Sequence, residues 1–329
     1  MALKHASVWQ LQAESYRRHE LHTRERAWLE SNCYVDLCVE VLHAAGFEPW
    51  ACLGFTLASD FEADQFTFFK PPPEDLSVLY GVSIYELNLW RPLIEHALVQ
   101  LDRGAILLAE VDSFYLPDTA GTDYHHAHVK TTVGLETLDV EAKRLGYFHN
   151  AGYYTLHGAD FDGVFQIEPK PPETHLPPYV ELLRSMGQQK SSERELVATS
   201  IELARKHLRA RPQANPIGTY AAQLGADMDW LLARDLATYH LYAFSVLRQL
   251  GANFEFAALY FDWLSRHGQT GLREAGQHFD VISQTAKAMI LKLARAVNAK
   301  RAPDVGAMLE GMRVAWERGM ESTVVQLGA

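Results

Sequence analysis

The chain has 329 residues, of which 48% are hydrophobic and 22% are charged, and its net charge at pH 7 is −11. This composition is typical of a globular protein with a sizeable core, and the negative charge argues against a general nucleic-acid binder, which needs a basic surface. The sequence shows neither a run long enough to span a membrane nor a signal-peptide core, and its three cysteines are too few for a disulfide scaffold. We therefore expect a cytoplasmic protein.

The first clear helix is predicted to begin after Asn32. Apolar residues recur every three to four positions between Leu37 and Ala45, and Gly46 is a typical helix stop. Ser31 and Asn32 are good capping residues, which places Cys33 in the first turn. The partial positive charge of a helix N-terminus favours a thiolate there, although many cysteines at such positions are simply buried.

The rest of the first half is predicted to contain several strands and one further helix. The segments "ACLGFTLA" and "QFTFFK" resemble short strands. A helix is expected from Pro92 to a stop at Gly104. Beyond it, "AILLAEV" is a continuous apolar run typical of a buried strand, "HVKTTVG" alternates, and "RLGYFHN" predicts a strand that ends near Asn150.

A proline-rich segment marks the expected junction between two domains. "EPKPPETHLPP" spans Glu168–Pro178, and such a composition favours a stiff, extended chain. After it, apolar residues step by three and four through two long stretches, which predicts five or six helices and no strand. We therefore expect an α+β domain over residues 1–175, a junction at about 168–190 and an all-α domain over residues 190–329.

The charge is divided unevenly between these two parts. Residues 1–180 hold 12 Lys and Arg against 26 Asp and Glu, a net charge of −14, whereas residues 181–329 hold 18 against 15, a net charge of +3. Such asymmetry predicts different partners for the two parts. Arg205, Lys206 and Arg209 fall on one helical stripe, which is either a docking surface for an acidic partner or an ordinary solvated helix face.

Three histidines, His125, His126 and His128, crowd the entrance to the strand "HVKTTVG". As metal ligands they would need nearby carboxylates, and several aspartates precede them. However, neighbouring residues on an extended chain point to opposite sides, so only His126 and His128 share a face. The spacing of known zinc motifs is also missing from the sequence. We therefore expect no metal site.

Cys33, His128 and Asn150 suggest a nucleophile site instead. A cysteine at a helix start, a histidine that opens a strand about 95 residues later and an amide at the end of the next strand form the papain-like layout. Antiparallel pairing of the two strands would bring Asn150 to the imidazole. Taken singly, these residues favour ordinary structural roles, because a cysteine at a helix start is most often a small buried hydrophobic residue and a histidine at a strand end is most often a hydrogen-bonded surface group.

Four segments resemble the papain-like acyltransferases of the butirosin-biosynthesis type: "SNCYVDL", "RGAILLAEVDSFYLP", "HAHVKTTVG" and "LGYFHNAGYYTL". The whole chain is more similar still to a related bacterial family of unknown function, number 1839 among such families. The resemblance implies a papain-like first domain that transfers an acyl or aminoacyl group from a carrier-protein thioester to an amine. The implied partners are an acyl or peptidyl carrier protein and a small amine acceptor, and no cofactor is implied.

The same resemblance implies a role for each candidate residue. Cys33 is the nucleophile, His128 is the general base, and Asn150 orients the base. Asp112 in "VDSFYLP" is expected on the acceptor side of the pocket, although a strand-ending aspartate that caps a turn describes it equally well. The other candidates for substrate binding are Asn32, Tyr115 and His126.

The sequence departs from the papain pattern at two positions. Papain-like proteases carry a glutamine six residues before the cysteine, where this chain has Ala27, and Lys130 interrupts the strand after His128. Oxyanion stabilisation would then come from the Cys33 backbone N–H and from Asn32. These departures disfavour proteolysis more than thioester chemistry, because a thioester is already activated. The alternatives are a hydrolase with the same residues and a binding protein in which Cys33 is merely packed.

Overall fold

A computed structural model describes residues 3–167, 177–185 and 191–328 of the chain. The chain forms two compact units, each assembled from three segments. The first unit comprises Met1–Arg24, Asn32–Glu48 and Leu76–Lys190, and the second comprises Glu25–Ser31, Pro49–Asp75 and Ser191–Ala329. The two units therefore do not correspond to a single cut in the sequence, because residues 25–31 and 49–75 belong with the helical unit.

The first unit is built on an antiparallel sheet. Its described strands are His5–Ser7 (β1), Val82–Glu86 (β2), Ile106–Asp112 (β3), Lys130–Asp139 (β4), Arg144–His149 (β5), Gly152–His157 (β6) and Val180–Ser185 (β7). They are ordered β2-β7-β3-β4-β5-β6, while β1 pairs with the end of β4. The strand β4 is therefore central, with β3 and β5 on its two sides.

The described helices of the first half are Glu20–Thr23 (α1), Cys33–Ala44 (α2), Pro73–Tyr80 (α3), Leu93–Asp102 (α4) and Gly158–Val164 (α5). α2 packs against β4 and β5 on one face of the sheet. Gly134 of β4 allows this close approach, since a Cβ there would lie 3.1 Å from Leu37 Cδ1. The predicted stop of α2 is confirmed, because Gly46 has a left-handed φ of 74° just after the helix.

The opposite face of the sheet carries the apolar core of this unit. Alternate residues of β3, β4 and β5 point to it, and α4 and α5 cover it. Its fully buried members include Leu107, Ala109, Val133, Leu135, Tyr147, Ala97, Leu101 and Phe161. The sheet therefore has two different environments, one beneath α2 and one beneath α4 and α5.

The second unit is helical, as predicted. Its described helices from Ser191 onwards are Glu193–Arg209 (α6), Pro216–Ala233 (α7), Leu236–Ala243 (α8), Gln249–Arg266 (α9), Leu272–Ala299 (α10) and Gly306–Leu327 (α11). A short π-helical turn, Phe244–Arg248, joins α8 to α9. The part of the chain that the structure describes holds no helix with the length and apolar character needed to cross a bilayer.

Two short strands predicted near the start of the chain are wrong. Pro49–Ala58, which contains "ACLGFTLA", is a 3-10 helix that packs against α6 and α9. Its residues are buried from Pro49 to Leu57, so the apolar run carries no periodicity that separates a helix from a strand. "QFTFFK" contributes only an isolated bridge between Phe66 and Phe61.

The predicted absence of a strand beyond the proline-rich segment is also wrong. Val180–Ser185 is β7, and it pairs with both β2 and β3 inside the sheet. Its first four residues are buried, but the run is too short to stand out beside the prolines that precede it. The remainder of the expected junction, residues 168–176 and 186–190, lies outside the described residues.

Candidate functional site

The N-terminus of α2 is formed as the sequence predicted. The Asn32 side chain accepts hydrogen bonds from the backbone N–H groups of Tyr34 and Val35, at 3.1 and 2.9 Å. Cys33 is the first residue of the helix, where a backbone N–H has no intrahelical acceptor. In the described residues, the Cys33 N–H has no other acceptor either. This N–H is therefore available to a negatively charged oxygen.

Cys33 differs from the other two cysteines in accessibility. Its side chain is partly exposed, whereas Cys38 and Cys52 are buried. Cys38 lies in the apolar stripe of α2, as expected from its position in the helix. Cys52 lies in the 3-10 helix, where its Sγ hydrogen-bonds to the Pro49 carbonyl. Cys33 is thus the accessible thiol of the described chain.

The Cys33 thiol lies against β4. Its Sγ donates a hydrogen bond to the Thr132 hydroxyl at 3.9 Å. Thr132 and Gly134 face α2, and Glu110 of β3 is directly opposite Thr132 in the register. Lys130, two residues before Thr132 on the same face, forms an ion pair with Glu110 at 2.5 Å. The thiol therefore has a polar rather than an aliphatic neighbourhood on the sheet side.

His128 is held by two other side chains. Its Nδ1 lies 2.6 Å from Asp112 Oδ2, and the Phe114 ring stacks on the imidazole with centroids 4.4 Å apart. The carboxylate favours the tautomer with the proton on Nδ1, which leaves Nε2 with a lone pair. The His128 side chain is 67% exposed. His128 is thus an oriented, accessible base.

The structure does not join Cys33 to His128 by a hydrogen bond, since each of them bonds to a different residue among those described. Thr132 and His128 are separated by four residues of extended chain, because the pairing of β3 and β4 continues in a bond from Ser113 N–H to the Val129 carbonyl. Four extended residues span about 13 Å. The Cys33 thiol, beside Thr132, and the His128 imidazole therefore lie on the same side of the sheet but at different positions along the direction of β4.

Asn150 lies in the turn between β5 and β6. Its φ of 44° is left-handed, a conformation that asparagine adopts more readily than most residues. The register pairs His149 with Val133, so Asn150 is one step further, level with Thr132. Its side chain has no hydrogen-bond partner in the described part of the chain. Asn150 is therefore nearer to the level of Cys33 than to that of His128.

The candidates for substrate binding have varied surroundings. Asp112 both pairs with His128 and caps the turn Ser113–Tyr115 through the Phe114 N–H, so the two descriptions of this residue apply together. The Tyr115 ring packs on Gly163 of α5. His126 is exposed, and its side chain is without a partner in the described residues. The oxygen of the Asn32 amide is used by the helix cap.

The neighbouring histidine His125 contacts a different carboxylate. Its Nε2 lies 3.1 Å from Asp160 Oδ1, and Asp160 also accepts a hydrogen bond from the Tyr124 hydroxyl. The three histidines at the entrance to β4 therefore do not converge on one set of carboxylates. Each is fixed, or left exposed, by its own surroundings.

A second histidine–aspartate pair, which no motif in the sequence predicted, lies on the core face of the sheet. His149 Nδ1 is 2.6 Å from Asp118 Oδ2, and its Nε2 is 2.8 Å from the Thr131 hydroxyl. The Tyr147 hydroxyl donates to the same carboxylate, and burial together with this carboxylate raises the pKa of Tyr147. His149 directly precedes Asn150, and Thr131 precedes Thr132. The buried pair therefore holds the strand segments that carry Asn150 and Thr132, which lie level with Cys33 along the sheet.

A third cluster lies behind α2. His22 contacts Asp36 Oδ1 at 3.2 Å and Glu40 through its other ring nitrogen, and all three side chains are fully buried. The Tyr16 hydroxyl and the His19 backbone N–H also donate to Glu40. The sequence offers one signal for this cluster, namely two acids four residues apart in an otherwise apolar helix.

The basic stripe of the second unit is partly used within that unit. Arg205 donates to the Leu327 carbonyl and pairs with Glu202. Lys206 pairs with Asp75 at 2.9 Å. Arg209 is exposed near the end of α6. A docking role for this stripe therefore depends mainly on Arg209.

Two family models match the chain. The model of the DUF1839 N-terminal domain matches residues 17–185, and that of the DUF1839 C-terminal domain matches residues 193–324. A search of curated proteins found no match.

Proposed function

The chain belongs to the DUF1839 family, and we propose that it transfers an acyl or aminoacyl group from a carrier-protein thioester to an amine through an acyl-enzyme on Cys33. One observation carries this proposal: the accessible cysteine of the chain opens a capped helix that packs on an antiparallel sheet. The partial positive charge of a helix N-terminus stabilises negative charge on Sγ and on an oxygen bound beside it. We accordingly interpret the first unit as papain-like.

The first step of the proposed reaction is thiol exchange. The Cys33 thiolate attacks the thioester carbonyl, the bond between that carbon and the carrier sulfur breaks, and the carrier thiolate takes up a proton. The backbone N–H of Cys33 donates to the oxyanion that forms in between. A thioester needs less stabilisation than an amide, which fits a site in which Ala27 stands where a papain-like protease has glutamine.

The second step needs a base. The amine attacks the acyl-Cys33 carbonyl, the carbon–sulfur bond to Cys33 breaks, and the proton lost by the amine passes to His128 Nε2. Asp112 supports this transfer, because it holds the Nδ1 proton and stabilises the imidazolium that results. Catalytic contacts often close only when substrate binds, and here His128 and Asp112 would have to move toward Cys33 together, because this step needs the pair intact.

The rival functions differ in what they do with the acyl-enzyme. A hydrolase with the same residues would release the acyl group to water. A binding protein would not form the acyl-enzyme at all. Asn150 is level with Thr132, so in this proposal it contacts the acyl group or the thiol rather than the imidazole.

The proposal is tested with small acyl thioesters of N-acetylcysteamine. Intact-mass measurement should show one acyl group per chain, peptide mapping should assign it to Cys33, and Cys33→Ala should abolish it while Cys52→Ala retains it. Addition of amines should then discharge the wild-type adduct faster than buffer alone. Discharge at the same rate with and without amines would indicate a hydrolase. If no adduct forms and iodoacetamide labels Cys33 no faster than the buried cysteines, the protein is not a cysteine acyltransferase.

A further inference from the structure

A separate cleft opens at the start of α4, on the core side of the sheet. It has a volume of about 360 Å³ and is lined by Trp90, Arg91, Leu93, Val164 and Phe165, among others. Leu93, Val164 and Phe165 belong to the apolar core, so the floor of the cleft is the exposed edge of that core. Cavities of roughly 300 Å³ and above are large enough for small organic ligands.

Arg91 is poorly satisfied for a guanidinium that lies partly inside the protein. Its Nη1 is 3.8 Å from Glu95 Oε2, which is an ion pair at the limit of direct contact. Its Nε is buried and has no hydrogen-bond partner. Two terminal nitrogens of a guanidinium have the geometry that binds both oxygens of a carboxylate. With its Nε unpaired and Glu95 at the limit of contact, the Arg91 guanidinium has hydrogen-bonding capacity that the described residues do not use.

Trp90 provides a flat apolar surface beside this donor. Its side chain is among the most exposed aromatic groups of the described chain, at 79%. The Arg91 guanidinium lies over the indole at 4.9 Å, and the Trp90 backbone N–H donates to His96 Nε2 at 3.4 Å. The backbone is thus anchored while the ring projects into solvent. The indole is therefore free to pack against a flat apolar group bound in the cleft.

We infer that this cleft binds a small carboxylate with a flat apolar body, such as an aromatic acid. The carboxylate accepts hydrogen bonds from the terminal nitrogens of the partly exposed Arg91 guanidinium, and the body of the ligand packs between Trp90 and the apolar floor. Glu95 competes weakly for the guanidinium, because it is half-exposed and at 3.8 Å. The site is distinct from that of Cys33, since α2 and α4 pack on opposite faces of the sheet.

Calorimetric titration with benzoate tests this inference, with benzamide as a ligand of the same shape but no charge. Benzoate should bind saturably at millimolar concentration, and benzamide should bind at least about tenfold more weakly, because it lacks the charge that Arg91 recognises. Arg91→Gln should weaken benzoate about tenfold, and Trp90→Ala should weaken it several-fold. Both side chains are at the surface of the cleft, so the fold should persist.

Two control variants make the outcome decisive. Arg103→Gln removes an exposed cation from the other end of α4 and should leave benzoate binding unchanged. Cys33→Ala should also leave it unchanged, which separates this site from the proposed acyl transfer. The inference is overturned if benzoate does not saturate up to about 50 mM, which is far above the affinity of a built site. It is equally overturned if benzoate and benzamide bind alike, or if Arg91→Gln has no more effect than Arg103→Gln.

Discussion

The first unit contains two histidine–aspartate pairs with the same geometry and opposite surroundings. In both pairs a histidine Nδ1 lies 2.6 Å from an aspartate oxygen. The His128 and Asp112 side chains are 67% and 31% exposed, whereas those of His149 and Asp118 are 2% and 5% exposed. The second ring nitrogen of His149 contacts Thr131, and that of His128 has no partner in the described chain. Pairing alone therefore does not identify a catalytic histidine.

Burial decides what each pair contributes. A buried polar group that loses its partner cannot turn to water, so the buried pair holds the sheet together. The exposed pair costs little to break, because water and salt screen it, but it leaves an oriented nitrogen for chemistry. Five predictions test this division, from the largest expected effect on stability to the smallest.

Replacing the fully buried His22 should cause the largest loss of stability. His22→Leu leaves the Asp36 and Glu40 carboxylates without their shared cation and should lower the free energy of unfolding at pH 6 by about 3–5 kcal/mol. His5→Leu is the control, because His5 is half-exposed and its contact with Asp139 is 3.7 Å. Urea denaturation of both variants measures the difference. Equal, small losses would mean that the buried cluster contributes no more than a surface pair.

The same cluster predicts a pH dependence. Burial lowers the pKa of His22, but the hydrogen bonds to Asp36 and Glu40 outweigh burial, so its pKa in the folded protein is raised above 6.5. A raised folded pKa means that the contribution is fully present below about pH 6.5 and is lost as the pH rises through the folded value. The difference in unfolding free energy between wild type and His22→Leu should therefore shrink from pH 6 towards pH 9. A difference that grows with pH would contradict this assignment.

The next largest loss of stability is expected when the carboxylate of the buried pair, Asp118, is removed. Asp118→Ala deprives both His149 and the Tyr147 hydroxyl of their acceptor, which should cost about 2–4 kcal/mol of unfolding free energy. Asp123→Ala is a suitable control, because Asp123 lies on the same connection but contacts only the Ser113 hydroxyl through its side chain. If Asp118→Ala loses no more stability than this control, the pair on the core face is not a structural element of the sheet.

A smaller loss is expected at the other end of the buried pair. Thr131→Val keeps the volume of the side chain but leaves His149 Nε2 without its hydroxyl partner, at a cost of about 1–2 kcal/mol. Thr132→Val on the opposite face removes the contact with Cys33 instead, and it should alter the alkylation rate of Cys33 more than the stability. The two variants should therefore separate in thermal denaturation and in iodoacetamide labelling. Identical behaviour in both assays would remove the distinction between the two faces.

The exposed pair should have the smallest effect on stability. Asp112→Asn and His128→Gln should each change the free energy of unfolding by less than about 0.5 kcal/mol. Under the proposed function, the amine-dependent discharge of acyl-Cys33 should nevertheless fall by about 10²-fold or more in His128→Gln, because a general base is lost. His5→Gln is the control, because His5 is half-exposed and pairs with Asp139 at the opposite end of β4. An unchanged discharge rate in His128→Gln would leave this pair without a catalytic role.

The sequence predicted the local features of the site correctly because their causes are local. Asn32 caps α2 with its own side chain, so a few neighbouring residues suffice to place Cys33 first in the helix. Gly104 follows α4 with a left-handed φ of 76°, and Gly46 does the same for α2, because each stop depends on the conformational freedom of one residue. The central strands β3 to β5 were predicted from their own apolar or alternating patterns.

Tertiary structure alone decided which of these residues meet. The alternation of a strand assigns Thr131 to the core and Thr132 to α2, but only the packing of α2 on β4 shows that the Cys33 thiol hydrogen-bonds to Thr132. Likewise, Asp112 and Asp118 are equally plausible partners for a histidine in the sequence, and packing gives one to an exposed ring and the other to a buried one. β7 shows the same limit, since six residues after a proline-rich segment become an inner strand only through pairing with β2 and β3. Local sequence fixes conformation over a few residues, whereas strand register and burial depend on contacts between segments far apart in the chain.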